Sequence, residues 1–362
     1  MAWFDAARLD DEDALARADP ALRHLAGAGA RVRRDAGEAR EAAAAGGPAG
    51  PVERPRALVV VGPGAGAVRD LVERTCPVPV VAWDGPGLPG WVGGLDVVVA
   101  LDPRGGDAGE EDPDAAQERH LAVAVAVAEA VRRGTRVVLA GPQAGLAARH
   151  AVGRDSLVLP CESGEAAACV VVVLEHLHRL GLGPATDADA VAESLDDVAR
   201  AASPLRDLEV NPAKALALVL AEATVLVWGP GPVEQDAARR VAGSLRRTAG
   251  RPALAGEADA LRPMLEQARA RDLFADPDDA AAPRPVLLVL DGEDPSDRLG
   301  APGGAGPAHA ARERLTRAAQ ARGLRVEVPE VAADRGRAAR WAAHGLLGAY
   351  VATYLVTGSV ED

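Results

Sequence analysis

The chain has 362 residues, enough for about two domains. With 48% hydrophobic and 26% charged residues it has the balance of a folded globular protein rather than a disordered one. A formal net charge of -13 and only 2% aromatic residues argue against a nucleic-acid surface, an anionic-membrane surface and a base-stacking platform.

Residues 1–50 form an N-terminal helical segment by their Ala-rich spacing of charged and apolar groups, and Gly46–Arg56 reads as a linker. Met1 to Asp13 is acidic and carries no apolar run, so it is not a signal peptide. A strand is predicted at Ala57–Val61, followed by the glycine turn Gly62-Pro-Gly-Ala-Gly66 and a helix to Arg74. Further strands are predicted at Val78–Ala82, Leu95–Leu101, Arg136–Ala140 and Ser156–Pro160, with helices at Ala115–Arg133 and Gly164–Leu180. Asp187–Arg200 and Leu208–Ala221 read as helices that cross between halves. The pattern then restarts with a strand at Thr224–Trp228, a Gly229-Pro-Gly-Pro232 turn and a helix at Val233–Ala249. Strands at Pro285–Leu290 and Leu324–Val328 flank a helix at Ala308–Arg322, loops cover Asp276–Arg284 and Asp294–Gly306, and Arg337–Val356 is the last helix.

Alternating strands and helices imply an α/β fold of parallel sheets with helices on both faces. The echo between Leu58-Val-Val-Val-Gly-Pro-Gly-Ala65 and Val225-Leu-Val-Trp-Gly-Pro-Gly-Pro232 implies two similar halves. The expected domains are residues 51–203 and 204–362. The longest apolar stretches, Leu121–Val131 and Trp341–Val356, fall short of the ~20 residues of a membrane helix and are expected to be buried helices, so no membrane partner is implied. Cys76, Cys161 and Cys169 form no disulfide framework, which points to a reducing cytoplasm. No metal-ligand spacing exists. Of the 40 basic residues counted as Lys or Arg, only Lys214 is a lysine, so any lysine chemistry must use it.

The glycine turns have two readings. Gly62, Gly64 and Gly66 between a strand and a helix, with Asp84 after the next strand, imitate a dinucleotide fingerprint. The spacing is G-x-G-x-G rather than G-x-G-x-x-G, and Pro63 removes a backbone donor. The other reading is a sugar-phosphate site, since loops at the carboxyl ends of parallel strands are where such folds bind ligands.

Three segments carry a family resemblance. They are Pro77-Val-Pro-Val-Val81 with Gly87-Leu-Pro-Gly-Trp-Val-Gly93 and Leu95-Asp-Val-Val-Val-Ala100; Asn211-Pro-Ala-Lys-Ala-Leu-Ala217 with Val225-Leu-Val-Trp-Gly229; and Ala249-Gly-Arg-Pro-Ala253 with Gly256-Glu257. In this order the chain resembles the bifunctional phosphoglucose/phosphomannose isomerases, which are built from two sugar-isomerase (SIS) domains. The resemblance implies two flavodoxin-like SIS domains, a sugar-phosphate ligand bound without a cofactor, and a homodimer.

The same resemblance exposes departures. Where the family has Ser-x-Ser-Gly-x-Thr, this chain has Asp102-Pro-Arg-Gly-Gly-Asp107, and only Gly105 matches. An aspartate there repels phosphate and Arg104 partly compensates, so Arg104, Gly105 and Gly106 join Gly62, Gly64 and Gly66 as the candidate ligand loop. The family's catalytic glutamate aligns with Arg247, which cannot act as a base at neutral pH. Its ring-opening histidine aligns with Ala260 or Asp259, leaving Glu257 as the candidate substitute base. Its phosphate-side arginine has no counterpart in Cys161-Glu-Ser-Gly-Glu165. The implied protein is weak or inactive as an isomerase and keeps a carbohydrate-derivative-binding or regulatory role. An active isomerase with a rearranged site and a non-catalytic nucleotide- or partner-binding module are the alternatives.

Overall fold

The computed structural model describes residues 3–46, 54–104, 113–153, 155–268, 283–292, 306–332 and 334–360. Most of the linker, most of the two loops expected after residues 276 and 294, and Gly105 to Asp107 lie outside them. The chain opens with strand β1 (Trp3–Phe4), a 3-10 turn, and helices α1 (Glu12–Ala26) and α2 (Ala28–Gly46). It divides into two compact units, one of residues 27–193 and one of residues 1–26 with 194–362.

The unit of residues 27–193 contains β2 (Leu58–Val61), α3 (Ala65–Val72), β3 (Val80–Trp83), β4 (Val97–Leu101), α4 (Pro113–Arg132), β5 (Arg136–Gly141), α5 (Leu146–His150), β6 (Ser156–Pro160) and α6 (Ala166–Arg179). Its five strands are all parallel in the order β3-β2-β4-β5-β6. β2 and β4 are buried along their whole length, as their unbroken valine-rich sequences require of central strands covered on both faces. Helix α2 packs on α6 and β6 of this unit.

The division falls inside α7 (Ala188–Ala201). The second unit continues with α8 (Pro212–Leu220), β7 (Ala223–Trp228), α9 (Pro232–Ala249), β8 (Ala253–Ala255), α10 (Ala258–Glu266), β9 (Arg284–Val289), α11 (Pro307–Ala321), β10 (Arg325–Glu327), α12 (Arg337–Gly358) and β11 (Ser359–Val360). Four parallel strands run in the order β10-β9-β7-β8. The doubly wound α/β class expected from the sequence is the one observed. β2 and β7, the two strands of the sequence echo, hold the same place: each lies between the next strand in sequence and the one after it.

The N-terminal segment does not stand apart as residues 1–50. Its two helices are shared out, because α1 packs on α12 while α2 packs on α6. β1 pairs antiparallel with β11, so Phe4 meets Ser359. Helix α8 starts later than its apolar run because Asn211 caps it, accepting from the N–H groups of Ala213 and Lys214, with Pro212 in the first turn. Lys214 is fully buried in this unit, its Nζ donating to Asp10 Oδ1 (2.8 Å), Arg206 O (2.9 Å) and Pro204 O (3.1 Å). All three donors of the ammonium are used, which makes the single lysine a structural cross-link from α8 to the N-terminal segment.

Of the two long apolar stretches, α12 is the buried helix expected. Helix α4 is not, since it buries one face and leaves Leu121 and Val125 53% and 48% exposed. No helix among the described residues is long and apolar enough to cross a membrane. Cys76, Cys161 and Cys169 are free thiols.

Candidate functional site

In a doubly wound sheet the crevice outside the carboxyl ends opens where the winding reverses. In the first unit that point lies between β2 and β4, and in the second between β7 and β9.

At the first switch point the turn after β2 holds Gly62 and Gly64 at φ 93° and 94°, a left-handed region that glycine enters without strain. A Cβ on Gly62 would sit 2.1 Å from Leu101 O, and one on Gly64 2.8 Å from Val170 Cγ2. These glycines therefore let the turn close on the end of β4 and on α6. Gly66 lies within α3. Asp102, the first residue after β4, is 3% exposed and turned inward. Its N–H donates to Ala140 O at 2.8 Å, and its Oδ1 lies 2.5 Å from His120 Nδ1 on α4. Space for it comes from Gly141 at the end of β5, where a Cβ would approach Asp102 Cβ and O to 3.0 Å. Arg104 is exposed, with its guanidinium 3.7 Å from Glu162 Oε2. The other Glu162 oxygen accepts from Gln143 N–H at 2.7 Å.

The neighbouring loop after β6 is held by α2. Ser163 Oγ donates to the fully buried Asp35, and the Arg31 guanidinium binds Glu165. Burial pushes the Asp35 carboxyl above the ordinary aspartate range, against the lowering effect of its bonds from Ser163. The edge from β4 to β6 thus presents Asp102, Glu162 and Glu165, each turned to a partner in the protein.

At the second switch point a different carboxylate takes the same place. Glu234 lies in the first turn of α9 and is buried. A Cβ on Gly292 would come 2.4 Å from Glu234 Cγ, one on Gly231 2.8 Å from Glu234 Oε2, and one on Gly229 2.3 Å from its carbonyl carbon. The glycines after β7 and β9 thus make room for a side chain of the chain itself. Helix α12 backs this corner, with Arg340 Nη2 donating to Gly292 O (3.2 Å) and His344 Nε2 donating to Asp291 O (3.1 Å). That carbonyl fixes the proton on Nε2, and burial pulls the imidazole pKa down to about 4, so His344 is neutral. On the outer side Trp341 Nε1 donates to Asp236 (2.8 Å), and the Arg240 guanidinium stacks 4.1 Å from the Trp341 ring centre.

The structure separates the residues singled out from the sequence. Gly62, Gly64, Gly66 and Arg104 share the carboxyl edge of the first sheet. Glu257 stands at the carboxyl end of β8, exposed, as the N-cap residue of α10 with no side-chain bond to the helix. Gln235 anchors the adjacent Gly256 through its carbonyl at 3.1 Å. Arg247 is exposed in the last turn of α9, ~22 Å along the helix axis from the end that faces the crevice. Gly105 and Gly106 lie outside the described residues. Sequence reasoning missed His120, Glu234, Arg340 and His344. A signal existed only for Glu234, two residues beyond Gly229-Pro-Gly-Pro232, the second copy of the repeated Gly-Pro-Gly turn.

No family model matches the chain, and no curated protein matches it. Solved structures share its fold. The “putative phosphosugar isomerase” of Silicibacter pomeroyi aligns with a TM-score of 0.58 and 14% identity over 93% of this chain and 96% of that one. A protein of the same description from Clostridium difficile aligns at 0.54 and 11% over 92% and 90%. The C-terminal domain of glucosamine-fructose-6-phosphate aminotransferase from Francisella tularensis aligns at 0.50 and 10% over 92% and 96%. The chain has the fold of these proteins across nearly its whole length. Among the described residues no group of three or more His, Cys, Asp or Glu side chains is placed to hold a metal ion.

Proposed function

We propose that this protein is a cytoplasmic member of the sugar-isomerase fold class that binds a sugar phosphate or related carbohydrate derivative and turns it over weakly or not at all. The observation that carries the reading is Asp102. It occupies the start of the loop after β4, where the resemblance calls for a phosphate cradle, and it is buried against His120. A phosphate dianion placed there meets a carboxylate already paired within the protein, and the nearby Arg104 faces Glu162. Glu234 is buried among the glycines at the equivalent switch point of the second sheet. An aldose–ketose isomerase needs a base and a ring-opening acid aimed at one substrate, and Arg247 stands at the opposite end of α9 from the crevice.

Fructose 6-phosphate and mannose 6-phosphate, each followed for glucose 6-phosphate, test the catalytic half. Turnover above ~1 per second, an ordinary enzyme rate, overturns it. Thermal shift with the same compounds tests the binding half, because a native-state ligand raises the melting temperature. No shift with either leaves a partner-binding role. A second reading, an isomerase with a relocated site, is favoured by Glu257, an exposed carboxylate at a strand's carboxyl end. It requires that Glu257→Gln abolish any turnover found.

A further inference from the structure

An apolar cavity lies inside the second unit, enclosed by α8, α9, the end of β9 and α12. Leu216, Leu245, Leu288, Leu290, Leu347 and Val351 form most of its wall. Pro329 is the only lining residue that is half-exposed, so the cavity opens beside it. With its mouth it encloses about 260 Å³. Its wall carries one polar side chain, His344, which is 1% exposed.

That imidazole has one nitrogen to spare. Nε2 donates to Asp291 O at 3.1 Å, which fixes the proton there and leaves Nδ1 as an acceptor. Nδ1 is buried and has no hydrogen-bond partner among the described residues. A buried acceptor without a donor is costly, so the cavity is built around an unmet need. Water meets it poorly, because a buried water typically makes about three hydrogen bonds and this wall offers one polar side chain. A charged ligand finds no countercharge in the wall, and a sugar phosphate would leave most of its hydroxyls unpaired.

We propose that the cavity binds a small uncharged apolar molecule with a single hydroxyl or N–H group, which donates to His344 Nδ1 while its body packs against the leucines. Apolar cavities of ~150 Å³ take a benzene ring, so a single ring or a short branched chain is the size class. An apolar pocket with one placed polar group is the usual form of a small-molecule site. The inference stands on this cavity alone and does not depend on what the crevices bind.

Calorimetric titration of the full chain with phenol and with fluorobenzene, which has nearly the same shape without the donor, tests it. Both are expected to bind the wild type. Val351→Phe fills the cavity and is expected to abolish both. His344→Leu removes the acceptor and is expected to lower the phenol-to-fluorobenzene affinity ratio about tenfold. In the wild type, phenol is expected to move the His344 Nδ1 nitrogen resonance further than fluorobenzene does, a readout that needs no variant to fold. No binding of either ring to the wild type, binding that survives Val351→Phe, a ratio unchanged by His344→Leu, or an Nδ1 resonance that phenol leaves in place would each overturn the proposal.

Discussion

The two sheets place a buried carboxylate at the switch point by different means. In the first, the turn after β2 collapses directly onto Leu101 O, and the carboxylate comes from a strand end, Asp102, with its partner His120 on a helix. In the second, the turn after β7 closes on its own helix, and the carboxylate comes from that helix's first turn, Glu234, nested among Gly229, Gly231 and Gly292. The same Gly-Pro-Gly sequence therefore does two jobs. After β2 it lets the turn close on the end of β4 and on Val170, and after β7 it lets the turn close on both the main chain and the side chain of Glu234. A glycine-rich turn after a strand signals close approach, and only its surroundings say what approaches.

The largest effects should come from the glycines that make these approaches possible. Gly62→Ala and Gly229→Ala each place a Cβ inside 2.5 Å of main-chain atoms, which cannot swing aside as a side-chain tip can. Each is expected to cost about 3 kcal/mol or more in denaturant unfolding. Gly134→Ala is the control for Gly62: it too has a positive φ (68°) but open space around it, and should cost about 1 kcal/mol. Equal losses at Gly62 and Gly134 would show that backbone strain, not crowding, sets the cost at Gly62.

Lys214 comes next, since its ammonium ties α8 to Asp10 within the unit that holds residues 1–26 and 194–362. Lys214→Met removes three hydrogen bonds at a buried site and is expected to cost about 2–3 kcal/mol. Ligand binding in a thermal-shift assay should remain. Loss of binding with intact stability would move the lysine from structure to function.

Each unit also holds one buried neutral histidine, His176 in the first and His344 in the second, both pulled down to about 4 chiefly by burial. The unfolded chain binds these protons near pH 6.5 and the folded chain does not. Their stabilisation is therefore present above about pH 6.5 and is lost as pH falls towards 4, at up to about 1.4 kcal/mol per pH unit for each histidine. His176→Gln should flatten that loss and leave the share due to His344. An unchanged slope would contradict this.

The smallest expected effect probes the first crevice alone. Asp102→Ser removes the inward carboxylate and returns a hydroxyl to the start of the loop. Affinity for inorganic phosphate should rise about tenfold in a titration followed by thermal shift. No gain would mean that the edge repels anions through Glu162 and Glu165 rather than through Asp102.

Much of the fold was legible because it is written in local signals. Ser156–Pro160 reads as a strand from its composition and is one. The repeated strand–Gly-Pro-Gly–helix joint marks the same central position in both sheets. The short β8 and the two-residue pairing of β1 with β11 were not legible, since two or three residues show no periodicity. The candidate site was legible only in part. Asp102 stood out as an acid where a hydroxyl was expected, but its partner His120 is 18 residues away on a helix.

The sequence by itself determined the parallel α/β class and the glycine turns after the central strands, because these follow from side-chain periodicity and backbone freedom. Tertiary structure alone decided what those turns enclose. It set Asp102 inward, slid Glu234 between Gly231 and Gly292, and sent α1 and α2 to different units. It also gave the single lysine its role, since Asp10 lies 204 residues from Lys214 in the chain. Such contacts depend on which surfaces burial brings together across long sequence separations, and no local pattern carries that information.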